Sequence, residues 1–249
     1  MSAPAWLTER PIAHRGLHDP AAGRFENTLS AAEAAISGGF GIECDVQLSA
    51  DGEAMVFHDH TLERLTSGTG PVRERATSEL GRLAIGGTND RIPTLTEFLD
   101  RIGDRTSLVI EIKSRFDGDE RLTLRTAEIL AARTGRHVVK SFDPMILALL
   151  RRIAPELPRG IVGQSRYDGG DAARLSPERL RAMTDLLHWD DTRPDFISWR
   201  HVDLPCAAAF LPRRLAGVPV MTWTIRSPEE AARALPHADG IVFEGFVPA

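Results

Sequence analysis

Two acidic residues in one predicted strand are the first sign of a reactive site in this sequence. Glu43 and Asp45 are two positions apart in the segment GIECDVQL, so both side chains point to one face of a strand. Neighbouring carboxylates inside a protein repel each other and lose hydration, which is costly unless a cation compensates them. Carboxylate oxygens are preferred ligands of Mg²⁺ and Ca²⁺. The flanking Ile42 and Val46 favour a buried metal site over the alternative, an edge strand with solvated acids.

A second strand-like segment, LVIEIK, repeats this spacing with an acid and a base. Glu111 can supply a third metal oxygen, and Lys113, on the same face, can meet a phosphate group as a point charge. The alternative is a buried Glu–Lys ion pair that only fixes packing, and the segment by itself does not decide between the two.

Two histidines near predicted strand ends are candidates for proton transfer near neutral pH. His14 stands in the sequence HRG beside Arg15, whose guanidinium suits bidentate phosphate binding, and Gly16 can bend the chain there. His58 ends the segment AMVFH and is followed by Asp59. Cleavage of a phosphodiester requires one group that deprotonates the nucleophile and one that protonates the leaving alcohol, so these two histidines can divide the work.

An aromatic and a polar residue near strand ends have a weaker functional interpretation. Trp223 in MTWTIR has core packing as its default role, with a pocket for an apolar or glycerol-like group as the alternative. Asn27 in ENT is a polar group close to a predicted strand end. Both are candidate substrate-pocket residues.

Short apolar segments alternate with helical patterns along the chain and indicate the fold. The predicted strands are 11–16, 41–48, 108–113, 137–142, 160–163, 196–200, 218–225 and 240–244. Eight strands alternating with helices predict a TIM-type (β/α)8 barrel, in which active-site residues lie where strands end and βα loops begin. The structural alternative is an open doubly wound sheet, which the lack of a glycine fingerprint after the first strand disfavours.

Residues 60–92 interrupt this alternation with SGTGP, GG and few periodic apolar positions. We predict an inserted loop with one helical turn at 78–83, preceded by an extended stretch at 54–58 that is set apart from the eight strands. A loop of this length near a suspected site is interpreted as functional. Because a (β/α)8 barrel takes about 250 residues, we predict one domain over 1–249 with this small insertion after the second strand.

The composition of the chain limits which binding partners and which cellular compartment are expected. The net charge is −5 over 249 residues and there is no long basic stripe, so a small-molecule substrate is expected rather than a nucleic acid. Cys44 and Cys206 lack the CxxC spacing, which fits a reducing compartment. The N-terminal residues contain no apolar stretch long enough for a signal peptide or membrane span. We therefore expect a cytoplasmic protein without stable membrane insertion, and the oligomeric state stays open.

In chain order, the motifs of this sequence resemble those of the glycerophosphodiester phosphodiesterase family. The matching segments are HRG, ENT, ECDV, VFHD, TSGTG, IPTL, IEIK, SFD and WTI. They run from Ile12 to about Trp223, so the resemblance covers nearly the whole chain. A single HRG would mean little, whereas the ordered set of ExD, HD and ExK is specific.

The resemblance implies a TIM-type barrel with a small insertion after the second strand, a metal and a set of roles. Its implied metal ligands are Glu43, Asp45 and Glu111, holding Mg²⁺ or Ca²⁺, with Mn²⁺ as a third candidate. Its implied general acid and base are His14 and His58. Its implied phosphate-binding residues are Arg15 and Lys113. Asn27 matches a family position near the metal, and the implied reaction converts a glycerophosphodiester and water into sn-glycerol 3-phosphate and an alcohol.

Two other functions are compatible with the same barrel. Phospholipase D-like cleavage of lysophospholipids would need an apolar entrance, and residues 60–92 contain few large apolar side chains, which favours small water-soluble diesters. A non-catalytic phosphate-ester-binding protein should have lost a histidine or a metal carboxylate, and this sequence retains all of them.

Overall fold

A computed structural model describes residues 3–167, 169 and 174–248 of the chain. The chain forms two compact units. The N-terminal unit comprises Ile12–Lys113 and Glu120–His137, and the C-terminal unit comprises Met1–Pro11, Ser114–Asp119 and Val138–Ala249. Among the described residues, no helix combines the length and the apolar character that a membrane span requires.

The N-terminal unit is built around one long, fully buried strand. Its strands are β1 (Ile12–Ala13), β2 (Gly41–Leu48), β3 (Ala54–Val56) and β4 (Leu108–Ile112). β1 and β4 both pair with β2 in parallel, whereas β3 runs antiparallel to it. The extended stretch predicted at 54–58 is therefore a strand outside the parallel series, as the sequence suggested.

The helices of the N-terminal unit include two that begin at side-chain caps. The helices are α1 (Leu29–Ser37), α2 (Thr77–Leu80), α3 (Leu95–Ile102) and α4 (Arg121–Ala131). The Thr28 side chain accepts a hydrogen bond from the amide of Ala31 and so starts α1. Thr94 and Glu97 form a capping box at α3.

The insertion after β3 is a packed element with its own small core. It contains a single turn of 3₁₀-helix at Val72–Glu74 and the helix α2, close to the helical turn predicted at 78–83. Its buried apolar residues, together with two of the preceding extended stretch, are Met55, Phe57, Leu62, Leu65, Val72, Leu80, Ile85 and Ile92. These large side chains are used for internal packing.

The C-terminal unit consists of strands that pair in parallel in chain order. They are β5 (His137–Ser141), β6 (Arg159–Gly163), β7 (Phe196–Arg200), β8 (Val220–Ile225) and β9 (Gly240–Phe243). The helices between them are α5 (Pro144–Ile153), α6 (Pro177–Thr184), α7 (Trp189–Thr192), α8 (Ala207–Ala216) and α9 (Pro228–Ala234). Three of these helices carry proline in their first turn, where no backbone donor is lost.

With the antiparallel β3 set aside, the described residues contain eight strands that alternate with helices, and the fold class is the predicted TIM-type (β/α)8 barrel. The largest difference from the predicted strand bounds is in the first strand. The first strand, predicted at 11–16, is only two residues long because Arg15 and Gly16 have positive φ angles of 57° and 80°. In the C-terminal unit, α6 ends at Thr184 and the short helix α7 follows it.

Candidate active site

Three buried carboxylates from two neighbouring strands meet in the N-terminal unit. Glu43 and Asp45 lie on β2, and Glu111 lies on β4 directly opposite Asp45 in the parallel register. Their exposed fractions are only 0%, 1% and 5%. One carboxylate oxygen from each residue lies within 4.8 Å of the other two. The i, i+2 spacing on β2 and the parallel register with β4 explain why these acids converge.

The Lys113 side chain lies directly beside this acid cluster. Its Nζ is 2.8 Å from Asp45 Oδ1 and 2.6 Å from Glu111 Oε1. Burial disfavours the charged ammonium, but the attraction of these two carboxylates outweighs it and raises the pKa of Lys113. Lys113 therefore stays a fixed positive charge.

Asp45 is the electrostatic centre of the site. Burial acts to raise its pKa, but Lys113, His58, Arg15 and His14 together hold the pKa of Asp45 well below its usual range. Both candidate histidines thus act on the same carboxylate, although 44 positions separate them in the sequence. The structure brings these groups together around Asp45.

A bend directly after β1 places His14 and Arg15 on the same side as the acids. His14 Nε2 lies 3.9 Å from Glu43 Oε2, and the backbone amide of Arg15 donates to that same oxygen at 3.1 Å. A Cβ atom on Gly16 would approach backbone and side chain of Ala31 to 2.9 Å, so only glycine fits this bend against α1. Strict strand alternation would place His14 and Arg15 on opposite faces, and the bend brings both side chains to the same side.

The Arg15 guanidinium is held by acids on two sides. Its Nη1 lies 2.6 Å from Glu26 Oε1, and its Nε lies 3.3 Å from Asp45 Oδ2. Burial opposes the charge, but Asp45, Glu26 and Glu43 raise the pKa of Arg15. The guanidinium is therefore fixed in orientation and permanently charged.

Asn27 orients the central carboxylate with both ends of its amide. Its Nδ2 donates to Asp45 Oδ2 at 2.9 Å, and its Oδ1 accepts from the backbone amide of Asp45 at 3.1 Å. The residue has φ = 56°, a left-handed conformation that asparagine tolerates better than most residues. The structure brings Asn27 into the site as a support of Asp45, and its predicted contact with substrate stays a prediction.

The imidazole of His58 is oriented by its sequence neighbour. His58 Nδ1 lies 2.7 Å from Asp59 Oδ1, and Gln47 Nε2 donates to the His58 carbonyl at 2.8 Å. Asp59 is half-buried. Burial opposes its charged form, but hydrogen bonds with His58 and Arg64 lower the pKa of Asp59. A proton on Nδ1 directed at this carboxylate leaves Nε2 as the proton-accepting nitrogen.

Trp223 belongs to the C-terminal unit and is half-buried there. Its Nε1 donates to the carbonyl of Ser198 at 2.9 Å, and its ring meets Phe142 edge to face at 5.5 Å. These contacts are those of a packed aromatic residue. Its role in a substrate pocket stays a prediction.

Sequence reasoning missed two charged residues of this network, Glu26 and Arg64. Arg64 comes from the insertion and donates hydrogen bonds to both Glu26 and Asp59. The pairing joins residues that are 38 positions apart in two loops, and no strand or helix period connects them. The signal available in the sequence was the position of Glu26 in the ENT motif and of Arg64 two residues before TSGTG.

The donor set fits a hard divalent cation. Glu43, Asp45 and Glu111 offer only oxygen, lie close together and are buried, which are the properties of a Mg²⁺ or Ca²⁺ site rather than of a zinc site with sulfur or imidazole ligands. Two imidazoles and two fixed cations surround the acids. Fold and site together define a hydrolase of anionic esters built on a TIM-type barrel.

The family of this chain follows from a match over almost its whole length. The model of the glycerophosphoryl diester phosphodiesterase family matches residues 14–243. The chain therefore belongs to this family, as its motifs predicted, and the family's named members are phosphoric diester hydrolases.

Individual relatives agree with this assignment. A glycerophosphodiester phosphodiesterase of Caldanaerobacter subterraneus subsp. tengcongensis is 36% identical over 164 residues, which cover 61% of this chain and 66%, just under two thirds, of that protein. A glycerophosphodiester phosphodiesterase structure from Thermotoga maritima is 27% identical, with a TM-score of 0.71 over 94% of each chain. A phosphodiesterase structure from Oleispira antarctica has a TM-score of 0.75 at 24% identity and covers 93% of this chain and 91% of that one. The two structures share the fold.

Protonation of Glu26 should weaken the folded state in acid. Burial opposes its charge, but hydrogen bonds from Arg64 and the charge and hydrogen bond of Arg15 lower the pKa of Glu26 from 4.5 to about 2. Because the folded-state pKa is depressed, this contribution is complete above pH 4.5 and is lost as the pH falls towards 2. Its size is on the order of 1–3 kcal/mol.

We expect the difference in free energy of unfolding between wild type and Glu26→Gln to shrink as the pH is lowered from 5 to 2. Urea unfolding at a series of pH values measures it. If the difference in free energy of unfolding stayed constant over this interval, Arg15 and Arg64 would not be holding the Glu26 carboxylate in its charged form.

Proposed function

We propose that this protein hydrolyses glycerophosphodiesters to sn-glycerol 3-phosphate and an alcohol, with a divalent metal and histidine acid–base catalysis. The observation that carries this proposal is the convergence of Glu43, Asp45 and Glu111 within 4.8 Å of one another. His14 and His58 both act electrostatically on Asp45 in this cluster. Membership of the phosphodiesterase family supports the substrate class.

Glu43, Asp45 and Glu111 would hold the metal. Mg²⁺, Ca²⁺ and Mn²⁺ all accept such an oxygen-only set, and Mg²⁺ and Ca²⁺ are the first candidates. When bound, a divalent ion supplies positive charge to a non-bridging phosphate oxygen as negative charge builds there. Asn27 keeps Asp45 in orientation through its two hydrogen bonds.

The two cations beside the acids bind the phosphate of the substrate. Arg15 presents a planar guanidinium that Glu26 already holds in place, so little conformational freedom is lost on binding. Lys113, which directly follows β4, adds a second positive charge beside Asp45. The retained positive charge of both side chains favours an anionic ligand despite the acidic net charge of the chain.

His14 and His58 divide the proton transfers. One removes the proton from the attacking oxygen, and the other protonates the leaving alcohol. The attacking oxygen belongs either to water, which gives sn-glycerol 3-phosphate directly, or to the neighbouring glycerol hydroxyl, in which case water opens the resulting cyclic phosphate in a second step. Asp59 holds Nδ1 of His58, so Nε2 is the atom that exchanges the proton. His14 Nε2 lies 3.9 Å from Glu43 Oε2, so this nitrogen points towards the acid cluster.

Small water-soluble diesters are the expected substrates rather than lysophospholipids. Leu62, Leu65, Leu80 and Ile85 of the insertion are all buried in its own core. These side chains do not offer an apolar surface to an acyl chain.

We further propose one domain and a reducing compartment. The family match over residues 14–243 spans both compact units, which supports a single functional domain.

Cys44 and Cys206 are free thiols, in keeping with a cytoplasmic enzyme that acts on small molecules.

A substrate panel tests the proposal. After treatment with EDTA, the protein should release no measurable glycerol 3-phosphate from glycerophosphocholine, glycerophosphoethanolamine or glycerophosphoglycerol, and Mg²⁺, Mn²⁺ or Ca²⁺ should restore the release. Lysophosphatidylcholine should be a poor substrate under the same conditions. Full activity in EDTA would contradict the metal requirement, and a preference for lysophosphatidylcholine would contradict the substrate class.

A further inference from the structure

A single arginine in the insertion contacts two acids of the candidate site at once. Arg64 Nε and Nη2 donate to Asp59 Oδ2 and Oδ1 at 2.5 and 2.9 Å. Its Nη1 and Nη2 donate to Glu26 Oε2 and Oε1 at 2.9 and 2.8 Å. The planar fork of the guanidinium thus engages all four carboxylate oxygens, a geometry that lysine cannot reproduce.

Each of these two acids holds one of the residues assigned to the reaction. Asp59 Oδ1 lies 2.7 Å from His58 Nδ1, and Glu26 Oε1 lies 2.6 Å from Arg15 Nη1. Asp59 follows β3, whereas Glu26 lies in the loop between β1 and α1. Arg64 therefore joins the support of the imidazole to the support of the phosphate-binding guanidinium.

The backbone of Arg64 is held by the packed core of the insertion. Leu62 and Leu65 on either side of it are buried in that core. The carbonyl of Leu62 accepts from the amide of Thr66 at 3.1 Å, and the carbonyl of Leu65 accepts from the amide of Gly86 at 2.7 Å. An ordered backbone lowers the conformational entropy lost when the long arginine side chain is fixed.

We propose that Arg64 is a positioning residue for the reaction, and that the insertion serves this barrel by delivering it. Arg64 locks Asp59 and Glu26, and through them it sets the ring of His58 and the guanidinium of Arg15 relative to the acid cluster. The inference deepens the proposed function and rests on it. Supporting partners of this kind typically contribute about 10–100-fold to activity.

Kinetics of Arg64 variants separate positioning from substrate binding and from folding. With glycerophosphocholine, Arg64→Ala and Arg64→Gln should lower kcat about 10–100-fold and change KM by less than about threefold. Arg64→Lys should retain more kcat than Arg64→Ala but less than the wild type, because an ammonium group cannot bind two carboxylates in the bidentate way of a guanidinium. Ethylguanidinium added to Arg64→Ala should restore part of kcat.

Arg105→Ala is the matched control. Arg105 also donates from two nitrogens to both oxygens of one acid, Glu33, at 2.9 Å each. Its side chain has the same exposed fraction as that of Arg64, 46%. This variant should keep wild-type kcat and KM, with no response to ethylguanidinium.

A double-mutant cycle with Asp59→Asn tests the route through His58. Because Arg64 acts on His58 through Asp59, the loss of kcat in the double variant should be smaller than the product of the two single losses. The ¹⁵N NMR shifts of the His58 ring should change in Arg64→Ala towards a mixture of tautomers, and this readout does not depend on turnover.

Several results would overturn the role of Arg64. One is a wild-type kcat in Arg64→Ala, and another is a change in KM without a change in kcat. The others are effects of Arg64→Ala and Asp59→Asn on kcat that simply multiply in the double variant, and unchanged ¹⁵N shifts of the His58 ring in Arg64→Ala. If Arg64→Ala does not fold, the same criteria apply to Arg64→Lys. An inactive wild type with all metals would instead refute the proposed function, and the NMR comparison would still decide whether Arg64 orients His58.

Discussion

Replacing either His14 or His58 by alanine should lower kcat/KM for glycerophosphocholine by about 10²–10⁴-fold, the usual contribution of acid–base catalysis. Both imidazoles act on Asp45, and His58 is further oriented by Asp59. Steady-state release of glycerol 3-phosphate measures the effect. His237→Ala, which changes a histidine of the C-terminal unit outside the candidate site, should retain wild-type values.

The leaving group distinguishes the two histidine roles. A diester with p-nitrophenol as leaving group needs no protonation of that group, so the variant lacking the general acid should recover much of its kcat on it. The variant lacking the general base should stay slow on both substrates. Near-normal turnover of either alanine variant on glycerophosphocholine would refute the assignment of that residue, and recovery of both variants would refute the division of roles.

Removing one carboxylate from the acid cluster should have an effect of similar size. Glu43→Gln, Asp45→Asn and Glu111→Gln each take away a charged oxygen ligand, so divalent-metal affinity should fall steeply. Loss of several kcal/mol of charge stabilisation in the transition state corresponds to about 10³-fold in kcat. Kinetics over a series of Mn²⁺ concentrations and calorimetric titration measure the two effects.

Glu33→Gln is the control for this series. Glu33 is also paired with arginines, Arg101 and Arg105, but it lies on α1 away from the cluster of three acids. Metal affinity and kcat should be unchanged in this variant. If Glu111→Gln kept the affinity of the wild type, the acids would be an ion-pair cluster with Lys113, which is the alternative that the sequence left open.

The central part of the site was predictable because it follows from strand geometry. Alternation on β2 places Glu43 and Asp45 on one face, and the strand was predicted at its observed bounds, Gly41–Leu48. Glu111 falls opposite Asp45 because parallel neighbours in a barrel bring their strand ends together.

The remaining parts depend on loop conformations that have no sequence period. Arg15 and Asn27 both adopt positive φ angles, and both side chains contact Asp45. The positive φ of Arg15 also shortens the first strand. Arg64 reaches Glu26 across 38 positions of chain, including the whole of β2. Such contacts arise from how two loops fold against each other, and local residue patterns carry no information about their distance.

Crystals soaked in Mn²⁺ and measured at the manganese absorption edge provide the most direct test of a metal site made by Glu43, Asp45 and Glu111. We predict one anomalous peak with an oxygen of each of the three carboxylates at about 2.2 Å, a coordination distance typical of hard divalent ions. A map without a peak at this position, or with a peak bound by other residues, would contradict the account.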